Sequence, residues 1–313
     1  MTSYIVRRIL LGVPTTLVVL TLVFFLMRVA PGDPAISALG EYASEETIAG
    51  FRARMGLDAP LWQQYVGYLG GFLRGDLGRS LISEQPVGPA IWSVLPYTLV
   101  LVMSATLIGF TVGTALGILS AINRNKIFDD VTRIISLVGV SVPDFYLGVL
   151  LLLGLAVEIP LFPIHGGGDP TQPLDYLRHL VLPACALGVI SLAYLTRVTR
   201  SAMLEVMSQD YIRTAKSKGL PARLVLYKHA FRNVLVEVIT VVGMLLVLSI
   251  AGSVMLEFVF SRPGLGRMLV TAANQRDYTT MQSLMSIYAI IIVVGNLLTD
   301  ISYGFFDPRI RYD

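Results

Sequence analysis

Six stretches of the chain are strongly apolar and contain no Asp, Glu, Lys or Arg. These stretches are residues 9–27, 85–123, 134–143, 179–196, 238–256 and 278–299. Because about 20 helical residues cross the hydrocarbon core of a bilayer, the pattern predicts an all-α integral membrane protein with six transmembrane helices. We place these helices near residues 9–29, 96–122, 134–157, 179–199, 233–256 and 281–305, with Asp144 inside the third.

The first apolar stretch has the basic flank of a signal peptide, since Arg7 and Arg8 precede it. Its length, and the following "RVAPGDP" with no small-residue cleavage site, instead favour a retained helix. We therefore predict a first transmembrane helix, an extracytoplasmic segment, a five-helix core and a cytoplasmic tail. In residue numbers these are 1–29, 30–95, 96–305 and 306–313, and the core includes a basic loop over 203–232.

The extracytoplasmic segment has helix signals of its own. Ser44 can cap a helix whose first turn holds Glu45 and Glu46, where acidic side chains favour the helix dipole. A second helix opens near Pro60 and carries an aromatic stripe. We expect that stripe to pack against the ends of membrane helices, so the segment is predicted to be mostly helical.

Charge placement predicts the orientation of the chain in the membrane. Only 14% of the 313 residues are charged, against about a quarter in a soluble domain. With the N-terminus inside, the inner segments hold 15 of the 24 Lys and Arg residues, and segment 30–95 holds four against seven acidic residues. The positive-inside rule therefore predicts both termini in the cytoplasm. The net charge of +3 reflects this asymmetry and gives no support for nucleic-acid binding.

The stretch "SQDYIRTAKSKGLPARLVLYKHAFRN", residues 208–233, is basic and lies between two apolar runs. It predicts a short helix ended by Gly219, and a second short helix that starts near Pro221. The second helix would place Leu224, Tyr227 and Phe231 on one face. So short a first helix is marginal alone and needs a groove. The residues leave two interpretations, a connector on anionic lipid headgroups and a docking helix for a cytoplasmic motor.

Polar side chains inside the apolar segments are the candidates for a solute path. The candidate path residues are Ser141, Pro143 and Asp144. A carboxylate within a membrane is costly, so Asp144 either lines the path or accepts hydrogen bonds from backbone donors freed at the proline. We expect Glu237 to extend toward the headgroups and Glu257 to order the loop that follows the fifth helix.

The sequence offers no convincing catalytic or metal site. His165, His179 and His229 lie in separate segments without ligand spacing, so we predict no metal cofactor. Cys185 is expected to be a small buried apolar side chain, and its offset from His179 puts the two on different helix faces. No Walker A sequence occurs, so the chain is not expected to bind ATP through such a loop.

Six motifs, in order, resemble those of the B-type permease subunits of dipeptide and oligopeptide importers, the peptide/nickel family of ATP-binding-cassette (ABC) importers. The motifs are "YIVRRIL…APGDPA", "GLDAPLWQQY", "GDLGRSL", "SVPDFYLG", "RTAKSKG" and "FSRPGLGRML…RDY". The fifth, with "HAFRN" after it, is similar to the EAA loop that docks on the ATPase. Thr214, Ala215 and Lys216 stand at the Glu-Ala-Ala positions and Gly219 at the motif's glycine, whereas Glu237 stands where relatives often have proline.

The resemblance implies the type I ABC-importer permease fold and a non-enzymatic subunit in the bacterial cytoplasmic membrane. It implies a second homologous permease subunit, two ATPase subunits that bind ATP and Mg²⁺, and an extracytoplasmic solute-binding protein as partners. The implied ATPase-coupling residues are Tyr211, Arg213, Thr214, Ala215, Lys216, Gly219, Arg232 and Asn233. The implied contacts to the solute-binding protein are Arg262, Pro263, Gly264 and Gly266.

The expected cargo is a peptide, and same-family importers leave nickel or metal-chelate complexes and glutathione open. An ion-coupled secondary transporter is the alternative from a different class. Such a transporter usually needs several ionisable groups at mid-membrane, and Asp144 is nearly alone there.

Overall fold

The structure is a computed structural model that describes residues 2–29, 33–40 and 43–306. The first helices are α1 Thr2–Val29, α2 Pro34–Leu39, α3 Glu45–Arg54, α4 Leu61–Leu73, α5 Val87–Ile108, α6 Thr114–Ile122 and α7 Ile127–Ser141. They are followed by α8 Asp144–Leu152, α9 Pro173–Met207, α10 Asp210–Ser217, α11 Ala222–Leu224, α12 Arg232–Val259, α13 Leu265–Asn274 and α14 Tyr278–Phe306. Three π-helical segments, Gly109–Gly113, Leu153–Glu158 and Val225–Phe231, join or extend these helices.

Five continuous helices are long and apolar enough to cross a membrane. They are Ile5–Val29, Val87–Ile122, Pro173–Met207, Ala222–Val259 and Tyr278–Ser302. These helices correspond to the predicted first, second, fourth, fifth and sixth spans. The second begins at Val87 rather than near 96, because Pro96 is accommodated inside the helix. The chain is therefore an all-helical multi-pass membrane protein.

The third predicted span is a bent helix pair rather than one straight helix. Helices α7 and α8 meet at an angle of 101° across residues 142–143. Val142 is extended, with φ −92° and ψ 124°, because a residue before proline is pushed out of the helical region. Helix α7 has 15 residues, so it is about 22 Å long and too short to cross a bilayer alone. The pair counts as a sixth span only if both arms are taken together.

Helix α9 lies at the centre of the bundle, in contact with α5, α6, α7, α8 and α12. Its first half packs into an apolar cluster that includes Leu101, Leu187 and Leu256. Its second half packs into another cluster that includes Leu195 and Met203 and continues into α10 and α12. Most of the core therefore depends on the two halves of this one helix.

Close contact of α9 with α6 and with the π-helical segment before α6 depends on glycine. A Cβ atom on Gly113 would lie 2.6 Å from the carbonyl oxygen of Leu192, and one on Gly117 would lie 2.6 Å from Thr199 Cβ. Small residues at such positions let two membrane helices approach closely enough for backbone packing. The predicted spans gave no indication of this contact, because a charge-free run does not report which face meets which helix.

The segment between α1 and α5 packs on the end of α1, as its aromatic stripe predicted. The rings of Tyr65 and Tyr68 lie 5.3 and 5.7 Å from the ring of Phe24. The hydroxyl of Tyr65 hydrogen-bonds Thr21 at 2.6 Å. Arg28 donates to Gln64 and to Gln282, which ties α1 and α4 to α14.

Gly117→Ala tests the contact between α6 and α9. Overpacking a tight helix contact costs about 1–3 kcal/mol, so the variant is expected to unfold at a lower temperature in detergent. Gly154→Ala is the matched control, because nothing lies within 4 Å of a Cβ atom at that position. Equal unfolding temperatures for the two variants would show that the close glycine contact does not contribute to stability.

Candidate functional site

The basic segment between α9 and α12 folds into a short helix and a sharp turn, which we call the elbow, residues 208–221. Helix α10 has Asp210 in its first turn and Lys216 in its last, both favourable for the helix dipole. Gly219 ends the helix with φ +75°, a conformation that glycine adopts without strain. Pro221 immediately precedes α11. The predicted helix and its glycine exit are both confirmed.

The second predicted short helix is wrong as a separate element. Helix α11 continues through the π-helical segment into α12, so one helix runs from Ala222 to Val259. Leu224 and Tyr227 are exposed, whereas Val225 and Ala230 are buried. Residues five apart share a face in a π-helix, and a sequence pattern with ordinary helical spacing does not reveal that register.

One face of α10 is buried in the body of the protein. Ile212 is 0% exposed and Ala215 is 6% exposed. They belong to the same apolar cluster as Met203 of α9, Val225 of the π-helical segment and Val234 of α12. The groove that so short a helix needs is thus supplied by its own bundle.

A polar contact ties the elbow to the start of α12. The side-chain amide of Asn233 donates to the hydroxyl of Tyr211 at 3.0 Å and to the carbonyl oxygen of His229 at 2.7 Å. Tyr211 in turn donates to the His229 carbonyl at 3.5 Å. The structure therefore brings together Tyr211 and Asn233, two predicted coupling residues that are distant in sequence.

The opposite face of α10 is exposed and basic. Seven of the eight coupling residues are exposed, and the five that lie outside the Tyr211–Asn233 contact are Arg213, Thr214, Lys216, Gly219 and Arg232. Arg213 pairs with Asp210 at 3.4 Å, but both side chains are more than three-quarters exposed, so the pair contributes little. Ala215 points inward instead and supports the helix. The elbow thus has an anchored inner face and a free basic outer face.

A buried ion pair beside the elbow was missed by sequence reasoning. Asp129 is 0% exposed and accepts two hydrogen bonds from the guanidinium of Arg200, at 2.6 and 2.7 Å. It also accepts from the Ser120 hydroxyl at 2.5 Å and from the Asn125 backbone N–H at 3.0 Å. The network links α6, α7 and α9. The position of Arg200 just after an apolar run indicated that it needs a polar partner. The sequence did not show that the partner is Asp129.

The candidate path residues lie together at the bend between α7 and α8. The Ser141 hydroxyl donates to the Leu137 carbonyl at 2.8 Å. Asp144 is half-buried and accepts from the Phe145 backbone N–H at 2.7 Å. One carboxylate oxygen of Asp144 lies 2.6 Å from where a Cβ atom on Gly252 of α12 would be. The carboxylate is therefore held at the helix start, against α12.

At the far end of the bundle, away from the elbow, Arg262 is 0% exposed. Its guanidinium donates to the Gly167 carbonyl at 3.4 Å and the Tyr176 hydroxyl at 3.1 Å, and lies 5.3 Å from the Tyr97 ring. Burial lowers the pKa of Arg262, while Tyr176 and Glu257 act in the opposite direction. The guanidinium of Arg262 is therefore enclosed within this chain, and its implied contact with a solute-binding protein stays a prediction. A turn sequence suggests exposure and does not show which side chain folds back.

Glu257 organises the same loop, as predicted. Its carboxylate accepts from the Thr98 hydroxyl at 2.5 Å and from the backbone N–H groups of Gly266 and Arg267 at 2.7 and 3.2 Å. These bonds hold the start of α13 against α5 and α12. Gly264 and Gly266 are buried, whereas Arg267 is exposed. The accessible part of the loop is therefore next to the predicted contact residues.

The other candidate residues add no chemistry. Within residues 2–29, 33–40 and 43–306, no group of three His, Cys, Asp or Glu side chains could hold a metal ion. Cys185 is half-buried, less enclosed than expected for a core thiol. The elbow is therefore the main candidate site.

Two family models match almost the whole chain. "Binding-protein-dependent transport system inner membrane component" matches residues 113–312, and the N-terminal model of the same system matches residues 1–102. The chain belongs to this family. Members are non-catalytic permease components of ABC importers, and they bind no cofactor themselves. In general such a permease works with ATPase subunits and another permease subunit.

Full-length relatives agree with the family. A Brucella abortus (strain 2308) protein, named provisionally as a peptide transport system permease, is 44% identical over 315 residues and covers 100% of both chains. The dipeptide transport system permease protein DppB of Escherichia coli (strain K12) is 38% identical over 337 residues, covering 100% of this chain and 99% of its own.

A solved structure shows the same fold. The inward-facing MetNI methionine ABC transporter superposes with a TM-score of 0.57 at 17% identity. The match covers 69% of this chain and 95% of that chain. The permease fold inferred from the six motifs is thus confirmed.

Glu257→Leu tests the far-end network of this permease. The change leaves buried N–H and hydroxyl donors without an acceptor, at about 1–3 kcal/mol for each. We expect a lower unfolding temperature and faster trypsin cleavage after Arg267. Glu158→Leu is the control, since Glu158 is exposed. Unchanged proteolysis in Glu257→Leu would contradict the assigned role.

Proposed function

We propose that this chain is the membrane-spanning permease subunit of an ABC importer that moves peptides across the bacterial cytoplasmic membrane. Its work is mechanical, and two separate ATPase subunits bind Mg²⁺ and ATP and hydrolyse the nucleotide. The observation that carries the proposal is the elbow, whose inner face is buried with α9 and α12 while its basic outer face is free.

An ATPase that pushes on α10 would move α9 and α12 with it. Ile212 is fully buried among residues of both helices, and packed interiors transmit displacement rather than absorb it. The hydrogen bonds of Tyr211 and Asn233 support the same connection. The proposed contacts to the ATPase are the exposed coupling residues outside the Tyr211–Asn233 contact: Arg213, Thr214, Lys216, Gly219 and Arg232.

The proposed orientation follows from the basic elbow. Lys and Arg concentrate on the cytoplasmic side of membrane proteins, which places the elbow and both termini in the cytoplasm. The far end then faces outward and meets the solute-binding protein. A second, homologous permease subunit completes the path, which we place beside the bend at Ser141, Pro143 and Asp144.

Peptide cargo is proposed because the full-length relatives are named for peptide and dipeptide transport. The half-buried carboxylate of Asp144 is one group that a peptide ammonium could meet on the way. Same-family cargo such as a metal chelate or glutathione would be distinguished by direct uptake assays with each labelled compound.

Lys216→Glu tests the coupling role. Reversing this exposed charge is expected to abolish ATP-driven peptide uptake by the assembled transporter in proteoliposomes, because it repels the ATPase contact without touching the core. Insertion and expression are expected to match wild type. Lys126→Glu, another exposed lysine outside the elbow, is the matched control and is expected to transport normally.

Normal uptake by Lys216→Glu would refute the coupling assignment. The same assay, run with ATP present and the membrane potential collapsed, separates the proposal from an ion-coupled transporter. Persisting uptake supports the ABC mechanism, and loss of uptake contradicts it.

Cross-linking tests the outward-facing contact. In a Cys185→Ala background, Arg267→Cys is expected to cross-link to the solute-binding protein, because Arg267 is exposed beside the ordered loop. Arg213→Cys on the elbow is the control and is expected to give no such product. An equal yield from both positions, or none from Arg267→Cys, would contradict the proposed docking face.

A further inference from the structure

A cavity of ≈ 820 Å³ opens between α7, α9 and α12. Ligand sites commonly have volumes of about 300–1,000 Å³, so a short peptide fits the space. Five charged side chains line it, and they come from all three helices: Asp130, Arg133, Arg197, Arg200 and Glu237. None of these residues belongs to the predicted path at the bend.

Three of these charges are already matched within the protein. Arg200 forms the bidentate ion pair with buried Asp129 described above. Arg133 pairs with Asp130 at 3.5 Å along the same helix. These pairs leave the cavity with little net charge from Asp130, Arg133 and Arg200.

Arg197 on α9 and Glu237 on α12, in contrast, have no oppositely charged partner within 4.0 Å among the residues that the structure describes. Both side chains are exposed toward the cavity. The cavity thus presents one unmatched cation on one wall and one unmatched anion on the facing helix. Glu237 therefore faces this cavity.

We propose that Arg197 and Glu237 form an exit subsite that binds the two ends of a zwitterionic peptide, its carboxylate at Arg197 and its ammonium at Glu237. The inference rests on the proposed function and identifies two residues that meet the cargo. An anionic lipid headgroup suits the site less well, because Glu237 and Asp130 would repel it. A simple cation is disfavoured in the same way by the arginines.

Weak binding is what an exit site requires. Exposed ion pairs are individually weak, so the peptide is oriented without being retained. The two walls, α9 and α12, are also the helices that the elbow joins and anchors. A stroke on α10 that carries α9 and α12 as one body shifts the cavity relative to the second permease subunit and releases the peptide.

The test uses the assembled transporter in nanodiscs, without the solute-binding protein, and saturation-transfer NMR with three probes: dialanine, N-acetyl-dialanine and dialanine amide. Arg197→Gln is expected to weaken dialanine binding about three- to fivefold, the effect of ~1 kcal/mol. It is expected to leave binding of the amide unchanged, because that probe has no carboxylate. Glu237→Gln is expected to weaken dialanine similarly and to leave the N-acetyl probe unchanged.

Arg124→Gln and Glu205→Gln are the matched controls, since both residues are exposed near the elbow and neither lines the cavity. They are expected to bind all three probes as wild type does. ATPase activity of each assembled variant verifies folding.

The inference is overturned if Arg197→Gln and Glu237→Gln bind dialanine as wild type does, or if their losses are equal for all three probes. It is also overturned if anionic lipid in the nanodisc alone accounts for the dependence on Arg197. ATP-driven peptide uptake by the wild-type transporter is measured in parallel. If the wild-type transporter takes up peptide but the two variants bind dialanine normally, only the exit subsite is contradicted. If the wild-type transporter takes up no peptide, the proposed function is contradicted.

Discussion

The burial of one face of α10 among α9 and α12 is the contact on which the rest of the account depends. Ile212 is fully buried there, and burying such a side chain is worth about 1.5–3 kcal/mol. A helix of eight residues has no stability of its own. It persists because the bundle holds it, and for the same reason it cannot move independently of the bundle.

Polar networks fix the bundle at both ends of α9. Near the elbow, Asp129 and Arg200 join α6, α7 and α9. At the far end, Glu257 and Arg262 gather α5, α9, α12 and the start of α13. Breaking a buried pair by removing one partner costs several kcal/mol. The central helices are therefore expected to move as a body, which suits alternating access by rigid rocking.

The sequence predicted the fold well wherever one strong local signal decided the structure. Charge-free runs located five crossing helices, and Gly219 marked the end of α10. Backbone donors were expected to be freed at Pro143, but the apolar run through it gave no indication that the helix bends by 101° there. The π-helical register after α11 was missed because it depends on backbone hydrogen bonds that no side-chain pattern reports.

The site was predictable in part for the same reason. The basic elbow stands out against an apolar chain, and Glu257 was correctly assigned to its loop. The burial of Arg262 could not be read from the sequence, since buried arginines are rare and its aromatic partners come from distant segments. The partners of Asp129 and the cavity shared by Arg197 and Glu237 arise only when three helices come together.

The most direct test of the account is a pair of distances measured by pulsed electron paramagnetic resonance. Spin labels at Lys216 and Thr240, both exposed, report whether α10 and α12 move together in the assembled transporter. The account predicts the same distance distribution without nucleotide and in the vanadate-trapped state, while the distance from Thr240 to the second permease subunit changes. A Lys216–Thr240 distance that shifts on trapping, with no change between the permeases, would contradict it.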